Sequence, residues 1–430
     1  MYYPPVENSL WRQALSQFNK INSEKIVYAL LFLLPIFAVT MRHWVSNIFA
    51  ILSLLSLVLL YLQRKQHTEL FREEKILLWG FAVYFGVFIL TSLVNGWGEL
   101  QTRYAGGEIR FLLFIPLYLM VRQMREAPKW LLLGMLFGVI FTAYDAAGEL
   151  WSGHVEEYDG IYSPLFTGPI ILLIAFLAIP YLLAKTKNLW LKFGLLFVAF
   201  LALFVVAATG ARNAYLATLV LGLWFILHQY KGATRYALLF AVFTFAYAIY
   251  ISMDTVNHRV NMAIDEYKEY ISFENPAESK KALSSVGTRL EMWRVTPIFF
   301  KDNPVFGIGR GNYTAEVKKY TQQHLVHRDI AEHGHPHNAY SEALISKGLL
   351  GLLSFLWITV YPLIILIRGY RNHMKSAYYG ITLIVGYMAF SLTDASTFIK
   401  GNYIAMYIVL LAVLFSYHVR EKRQQQTTSE

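Results

Sequence analysis

The sequence predicts an all-α polytopic membrane protein with about twelve transmembrane helices and one large helical loop. Of its 430 residues, 56% are hydrophobic and only 15% are charged, whereas soluble domains are about 45–50% apolar and about 25% charged. The mean hydropathy is +0.41. Apolar runs recur along the chain at a length near the roughly 20 residues that cross a bilayer. One long segment of mixed polarity, 254–340, interrupts these runs.

The apolar runs define the predicted spans one by one. In chain order they are 26–41, 44–62, 76–95, 109–122, 130–147, 164–184, 189–208, 211–229, 236–253, 341–367, 376–393 and 401–418. The fourth is short and could be tilted, partly buried or re-entrant. No small-residue cleavage site follows the first, which indicates a retained span. The chain therefore divides into spans one to nine (1–253), a loop subdomain (254–340), spans ten to twelve (341–418) and a tail (419–430).

Basic residues predict the orientation of these spans. Lys and Arg concentrate in the connections from even to odd spans, as at Arg122, Arg125 and Lys129, and in the tail. Because basic residues near span ends stay on the cytoplasmic side, we expect both termini in the cytoplasm and the loop on the outer face. This distribution explains the formal net charge of +10 without nucleic acid. The sequence has no cysteine, which excludes thiol nucleophiles, disulfides and Cys-type metal sites.

The loop is predicted to contain two helices. Residues 277–300 indicate an amphipathic helix, because apolar side chains from Leu283 to Ile298 recur at near-helical spacing. An Asp-Asn-Pro run at 302–304 ends this helix, and the glycine-rich run 307–312 predicts a turn. A second short helix is predicted over 313–325. The loop is thus large enough for a small extramembrane subdomain.

Three arginines are candidates for binding an anion. Arg212 lies at the turn between the seventh and eighth spans, where a charge is costly and therefore a functional candidate; binding to lipid headgroups is the other interpretation. Arg289 and Arg294 lie on the predicted loop helix. A guanidinium matches phosphate oxygens, so arginines from two elements could clamp a pyrophosphate. A solvated Arg–Glu pair with Glu291 is the alternative for the loop helix.

A histidine cluster precedes the tenth span. His333, His335 and His337 alternate, and alternate residues of an extended stretch share a face. A zinc site, a catalytic base near neutral pH and a structural role are all open, although the missing acidic or thiolate ligand nearby disfavours zinc. Asp394, at the end of the eleventh span, could orient a histidine or an arginine, or cap a helix.

These residues resemble the bacterial O-antigen ligases, which form one superfamily of polytopic glycosyltransferases with O-antigen polymerases and protein O-oligosaccharyltransferases. The matching motifs are Arg212 with Leu216, Gly287-Thr288-Arg289 through Trp293, and His337-Asn338 with ten residues between His337 and Gly348. Their order and spacing, with one large outer loop before the tenth span, extend the resemblance over essentially the whole chain.

The resemblance implies a reaction at the periplasmic face of the bacterial inner membrane. A polysaccharide leaves its undecaprenyl pyrophosphate carrier and joins a sugar hydroxyl of the lipid A-core, without a metal, nucleotide or other cofactor. Carried over by position, Arg212 and Arg289 bind the donor pyrophosphate and His337 is catalytic. Asp394 matches an acidic position near the outer end of the eleventh span. His335, Arg294 and Asn338 are further predicted supporting residues.

Other functions stay open. An O-antigen polymerase would use the same donor with a second lipid-linked glycan as acceptor, but two sizeable outer loops are typical of polymerases. A protein O-oligosaccharyltransferase is a further alternative. A lipid-linked glycan transporter would need no catalysis, but the inverted repeats and midspan Gly or Pro breaks expected of transporters are not evident in the sequence.

Overall fold

The computed structural model describes residues 7–62, 69–153, 158, 160, 163–252, 254–279 and 281–429. Within its helices, the side chains that lie outside the description are those of residues 7–22, 212, 213, 245, 246, 249, 254–256, 259, 428 and 429.

The described residues form sixteen α-helices and no β-strand. The helices are α1 (Glu7–Thr40), α2 (Trp44–Leu62), α3 (Arg72–Val94), α4 (Glu99–Val121), α5 (Ala127–Trp151), α6 (Pro164–Lys185), α7 (Leu189–Ala208), α8 (Arg212–Gln229), α9 (Gly232–Ser252), α10 (Asp254–Ser272), α11 (Ser285–Arg294), α12 (Thr296–Asp302), α13 (Tyr313–Gln322), α14 (Ala339–Arg371), α15 (Lys375–Thr393) and α16 (Gly401–Ser429). Short 3₁₀ turns cover Pro276–Glu278, Arg328–Glu332 and Ala395–Phe398.

Each of the twelve predicted spans falls on one of these helices. Among the described residues, nine helices are long and apolar enough to cross a membrane, namely α1 to α7, α14 and α16. The three other predicted spans coincide with α8, α9 and α15. The predicted class, an all-α polytopic membrane protein, is confirmed.

The prediction that the fourth span is short is wrong. Helix α4 has 23 residues and begins at Glu99, ten residues before the predicted start. Arg103, Glu108 and Arg110 reduce the apolar content of its first turns. The helix nevertheless continues through them, and Glu108 is buried there against a lysine of α14.

The loop contains more helix than the sequence predicted, and its first helix is divided. The predicted helix 277–300 is two helices, because Ser284 caps the start of α11 and Pro297 lies in the first turn of α12. The predicted helix 313–325 is confirmed as α13, whereas α10 was missed. The loop helices share an apolar core with one residue of α14: Met292, Val295, Phe299, Ile308, Tyr313, Val317, Tyr320, Val326, Ile330 and Ile345.

The chain forms two compact units. The first comprises 1–67, 116–211 and 409–430. Within it, α1 packs closely on α5, where a Cβ on Gly134 would lie 2.0 Å from the carbonyl oxygen of Phe32. Only glycine permits this approach of two helix backbones.

The second unit comprises 68–115 and 212–408, and it contains every candidate site residue. Helix α14 packs against α3 and α15, and α15 also packs against α8, where Trp224 Nε1 donates to the hydroxyl of Thr382 (2.9 Å). The predicted loop, 254–340, belongs to this unit.

Candidate active site

Asn338 fixes the chain directly after the histidine stretch. As the N-cap of α14, its Oδ1 accepts hydrogen bonds from the backbone N–H groups of Tyr340 (2.9 Å) and Ser341 (3.0 Å). Its Nδ2 donates to the carbonyl oxygen of Leu392 (3.0 Å), near the end of α15. The predicted supporting role of Asn338 thus takes a specific form: its contacts hold the backbone beside His337.

The structure brings His335, His337 and Asp394 together. One nitrogen of each histidine and one carboxylate oxygen of Asp394 lie within 4.8 Å of one another. The His337 backbone N–H donates to His335 Nδ1 (3.3 Å), and the His333 ring centroid lies 5.4 Å from that of His337. Asp394 is buried, and its Oδ1 accepts from the backbone N–H of Ser396 (2.9 Å). Asp394 therefore both caps a 3₁₀ turn and approaches a histidine, as the sequence allowed.

Burial controls the charge of these histidines. Burial lowers the pKa of His337, the nearby Asp394 carboxylate opposes this shift, and the positive charge of Arg289 adds to it. Burial also lowers the pKa of His335 to about 3, with His337 as the second cause. Both imidazoles are therefore neutral at pH 7, and a neutral imidazole can accept a proton.

The two arginines of α11 have different surroundings. The Arg294 guanidinium donates from Nε and Nη2 to the two carboxylate oxygens of Glu291, each at 2.7 Å. Glu291 is fully buried and also accepts from the Tyr270 hydroxyl (2.7 Å). The Arg–Glu pair is thus the observed arrangement, although its glutamate is buried and not solvated. Arg289 is half-buried and acts electrostatically on His337.

Arg212 is the first residue of α8, in the same compact unit as His337. Its side chain lies outside the described part of the chain, so its predicted role in donor binding stays a prediction.

Sequence reasoning missed a buried cluster of four charges, formed by Glu108, Arg310, Glu342 and Lys347. Lys347 Nζ lies 2.9 Å from both carboxylate oxygens of Glu108. Arg310 Nη1 donates to Glu342 Oε1 (2.5 Å), and its Nε lies 3.5 Å from Glu108 Oε1. The Lys347 ammonium also lies 4.1 Å from the Tyr84 ring centroid. A lysine inside the apolar tenth span was the available signal.

A break in α14 lies next to this cluster. Gly348 has non-helical angles (φ +64°, ψ −158°), and a Cβ there would lie 2.3 Å from a backbone oxygen. The glycine-rich turn pairs with the interrupted helix: Ile308 N donates to Ile345 O (2.9 Å), and Gly309 N donates to Ser346 O (3.0 Å). The sequence had shown no midspan break. Here the turn supplies donors for carbonyls that the break leaves unpaired.

A cavity of about 10 Å³ adjoins the four-charge cluster and has room for about one water molecule. Glu342, whose Oε2 has no hydrogen-bond partner among the described residues, belongs to its lining, as do Ala339 and Ala395. Ala339 follows His337 by two residues, and Ala395 directly follows Asp394. The four-charge cluster therefore lies next to the histidine site.

The donor set of the histidine site also suits a metal. Two imidazole nitrogens and one carboxylate are typical ligands of zinc and related ions. Asp394 supplies the acidic side chain that the sequence argument found missing near the histidines.

The fold and the histidine site together define a polytopic helical membrane protein in which two half-buried histidines approach the buried Asp394. The positive charge of Arg289 acts on His337. Residues 196–356 match the family model described as O-antigen ligase. The match confirms the resemblance to the O-antigen ligase superfamily and supports a glycosyltransferase-like function of the ligase or polymerase type. The matched segment includes Arg212, Arg289 and His337, whereas Asp394 lies beyond it.

A curated protein of Haemophilus influenzae, described as uncharacterized, is similar to most of the chain. The two sequences are 26% identical over 333 residues, which cover 75% of this chain and 80% of the relative.

Proposed function

We propose that this protein is an O-antigen ligase that transfers a polysaccharide from undecaprenyl pyrophosphate to a sugar hydroxyl of the lipid A-core. The observation that supports this most is the approach of His337 to the buried carboxylate of Asp394, whose ligand atoms lie within 4.8 Å of each other, while the positive charge of Arg289 acts on the same histidine. Glycosyl transfer from a pyrophosphate needs a base and an anion-binding cation in the same site.

The arginines stabilise the leaving group. As the bond between the anomeric carbon and the phosphate oxygen breaks, negative charge develops on the pyrophosphate. Arg289, together with Arg212, binds those oxygens and stabilises the transition state more than the ground state. Arg294 has a different task, because its guanidinium is already paired with Glu291.

His337 activates the acceptor. The sugar hydroxyl donates its proton to the neutral imidazole while its oxygen forms the new bond to the anomeric carbon. Undecaprenyl pyrophosphate leaves on the opposite face, so one displacement inverts the anomeric centre without a covalent enzyme intermediate. Asp394 stabilises the imidazolium that forms. His335 accepts a hydrogen bond from the His337 backbone and so restrains the base.

In this proposal the protein spans the bacterial inner membrane. Its site faces the periplasm, and both termini lie in the cytoplasm. The distribution of basic residues in the short connections supports this orientation. Both substrates are amphiphiles that reach the site from the membrane lipids.

The identity of the acceptor tests the proposal. Purified protein is reconstituted with a lipid-linked glycan, with or without lipid A-core, in EDTA, and the products are resolved by gel electrophoresis and mass spectrometry. We expect a glycan joined to lipid A-core in the complete mixture. Longer lipid-linked glycans formed from the donor alone would identify a polymerase instead, and strict dependence on a divalent ion would contradict the mechanism.

A further inference from the structure

We infer that His335, His337 and Asp394 form a site for a transition-metal ion such as Zn²⁺, and that occupation of this site inhibits the transferase. The geometry comes from two separate segments, the stretch before α14 and the end of α15. Their candidate ligand atoms already lie within 4.8 Å of one another. A zinc ion placed among them would lie about 2.0–2.2 Å from each ligand atom, so the proposal requires small side-chain movements that bring the three atoms closer together.

Two of the ligands, Asp394 and His335, accept hydrogen bonds that leave a second coordinating atom on the same side chain. The backbone N–H of Ser396 occupies Oδ1 of Asp394, which leaves Oδ2 for a metal. The backbone N–H of His337 occupies Nδ1 of His335, which leaves Nε2 on that ring. Such supporting hydrogen bonds orient metal ligands in known sites. His333, in the same stretch, is a further imidazole close to His337.

The ligand set selects the class of ion. Two imidazoles and one carboxylate favour zinc, cobalt, nickel or copper, whereas magnesium and calcium prefer oxygen ligands alone. The positive charges of Arg289 and Lys400 act on His337 and therefore also oppose the binding of a metal cation there. The ion is therefore held less tightly than in a closed structural zinc site, and it exchanges with the solution.

Inhibition rests on the proposed function. The nitrogen lone pair of His337 that would accept the acceptor proton is the same lone pair that would bind the metal. A metal-bound His337 cannot take that proton, so metal and catalysis compete for one atom.

Binding is tested without any substrate. CoCl₂ is titrated into the purified full-length protein in detergent and chelator-free buffer, and the visible absorption of protein-bound Co²⁺ is followed, with ZnCl₂ as competitor. We expect one specific equivalent. Asp394→Asn keeps the capping oxygen and loses the charge, and His335→Ala removes one imidazole; each should weaken Co²⁺ binding by about 10-fold or more. The control is His324→Asn, an exposed histidine in a left-handed conformation that asparagine tolerates. Absence of a specific band, or equal affinity in Asp394→Asn and the control, would overturn the site.

Inhibition is tested in the transfer assay, with each variant normalised to its own rate in EDTA. We expect ZnCl₂ to inhibit the wild type, EDTA to reverse the effect, and His335→Ala to need about 10-fold more zinc for half inhibition. Full Co²⁺ or Zn²⁺ occupancy without loss of transfer would overturn the inhibitory role. Co²⁺ binding at these residues without transfer in any mixture would support the metal site and contradict the proposed function.

Discussion

Two groups of charged and titratable residues lie next to each other in the second unit, and they differ in electrostatic balance. The buried four-charge cluster pairs Arg310 and Lys347 with two glutamates, so its formal charges cancel. Among the described residues, the histidine site contains one carboxylate, that of Asp394, and the positive charges of Arg289 and Lys400 act on His337. The first group balances its charges within the protein, as a structural element does. The second is complementary to an added anion, as a substrate site is.

The largest effect should follow from breaking the balanced group. Glu108→Ala leaves Lys347 buried without its carboxylate, and removal of one partner from a buried pair costs about 3–5 kcal/mol. We expect a much lower yield of folded protein and a lower melting temperature in detergent, measured by thermal unfolding.

A double variant provides the control for this comparison. Glu108→Leu with Lys347→Met removes one charge of each sign, and Arg310 retains Glu342. Apolar replacement of a buried pair is often neutral, so we expect most of the stability to return. A double variant as unstable as Glu108→Ala would show that charge balance is not what this cluster supplies.

A smaller effect should separate the two arginines of α11. Arg294→Ala strips the buried Glu291 carboxylate of two hydrogen bonds and should destabilise the loop by about 1–3 kcal/mol. Arg289→Ala should raise the donor KM, because it removes a guanidinium from the proposed donor site. Thermal unfolding and donor titration measure the two quantities. Equal stability losses with an unchanged donor KM would remove Arg289 from the proposed donor site.

The smallest effects should appear in the pH profile of transfer, recorded in EDTA. Because His337 must be neutral to accept a proton, the rate falls at acid pH, and its lowered pKa places this fall below pH 6.5. Asp394→Asn removes a charge that raises the His337 pKa, so the acid limb should move to lower pH. Arg289→Gln removes a charge that lowers this pKa, so the limb should move to higher pH.

Each of these two shifts should be smaller than about one pH unit. Shifts in the same direction for both variants would contradict the assignment of the acid limb to His337.

Most of the fold could be predicted because apolar runs are local. The second and seventh spans were predicted at the bounds of α2 and α7. The start of α4 was not, since Glu108 reads as a solvent-exposed charge until its partner is known. That partner, Lys347, lies 239 residues further along the chain. Helix α10 was missed because it is polar enough to read as loop.

For the same reason, the sequence predicted the site residues that stand in local motifs better than the contacts between distant segments. His337 and Arg289 stand in short motifs that the sequence shows directly. The approach of Asp394 to His337 depends on how α15 ends beside the start of α14, and the sequence offered it only as one of several roles. The difference between Arg289 and Arg294 depends on Tyr270 and on the burial of Glu291, which no local pattern reveals.

The central claim is that His337 is the base of a metal-independent transferase. The most direct measurement compares single-turnover transfer by the wild type and by His337→Ala, with saturating lipid-linked glycan and lipid A-core in EDTA. Loss of a general base lowers the rate by about 10²–10⁴-fold. We predict a loss of this size in a variant that is folded and still binds the donor. Near-normal transfer by the folded variant would contradict the account and would move the search for the base to His335.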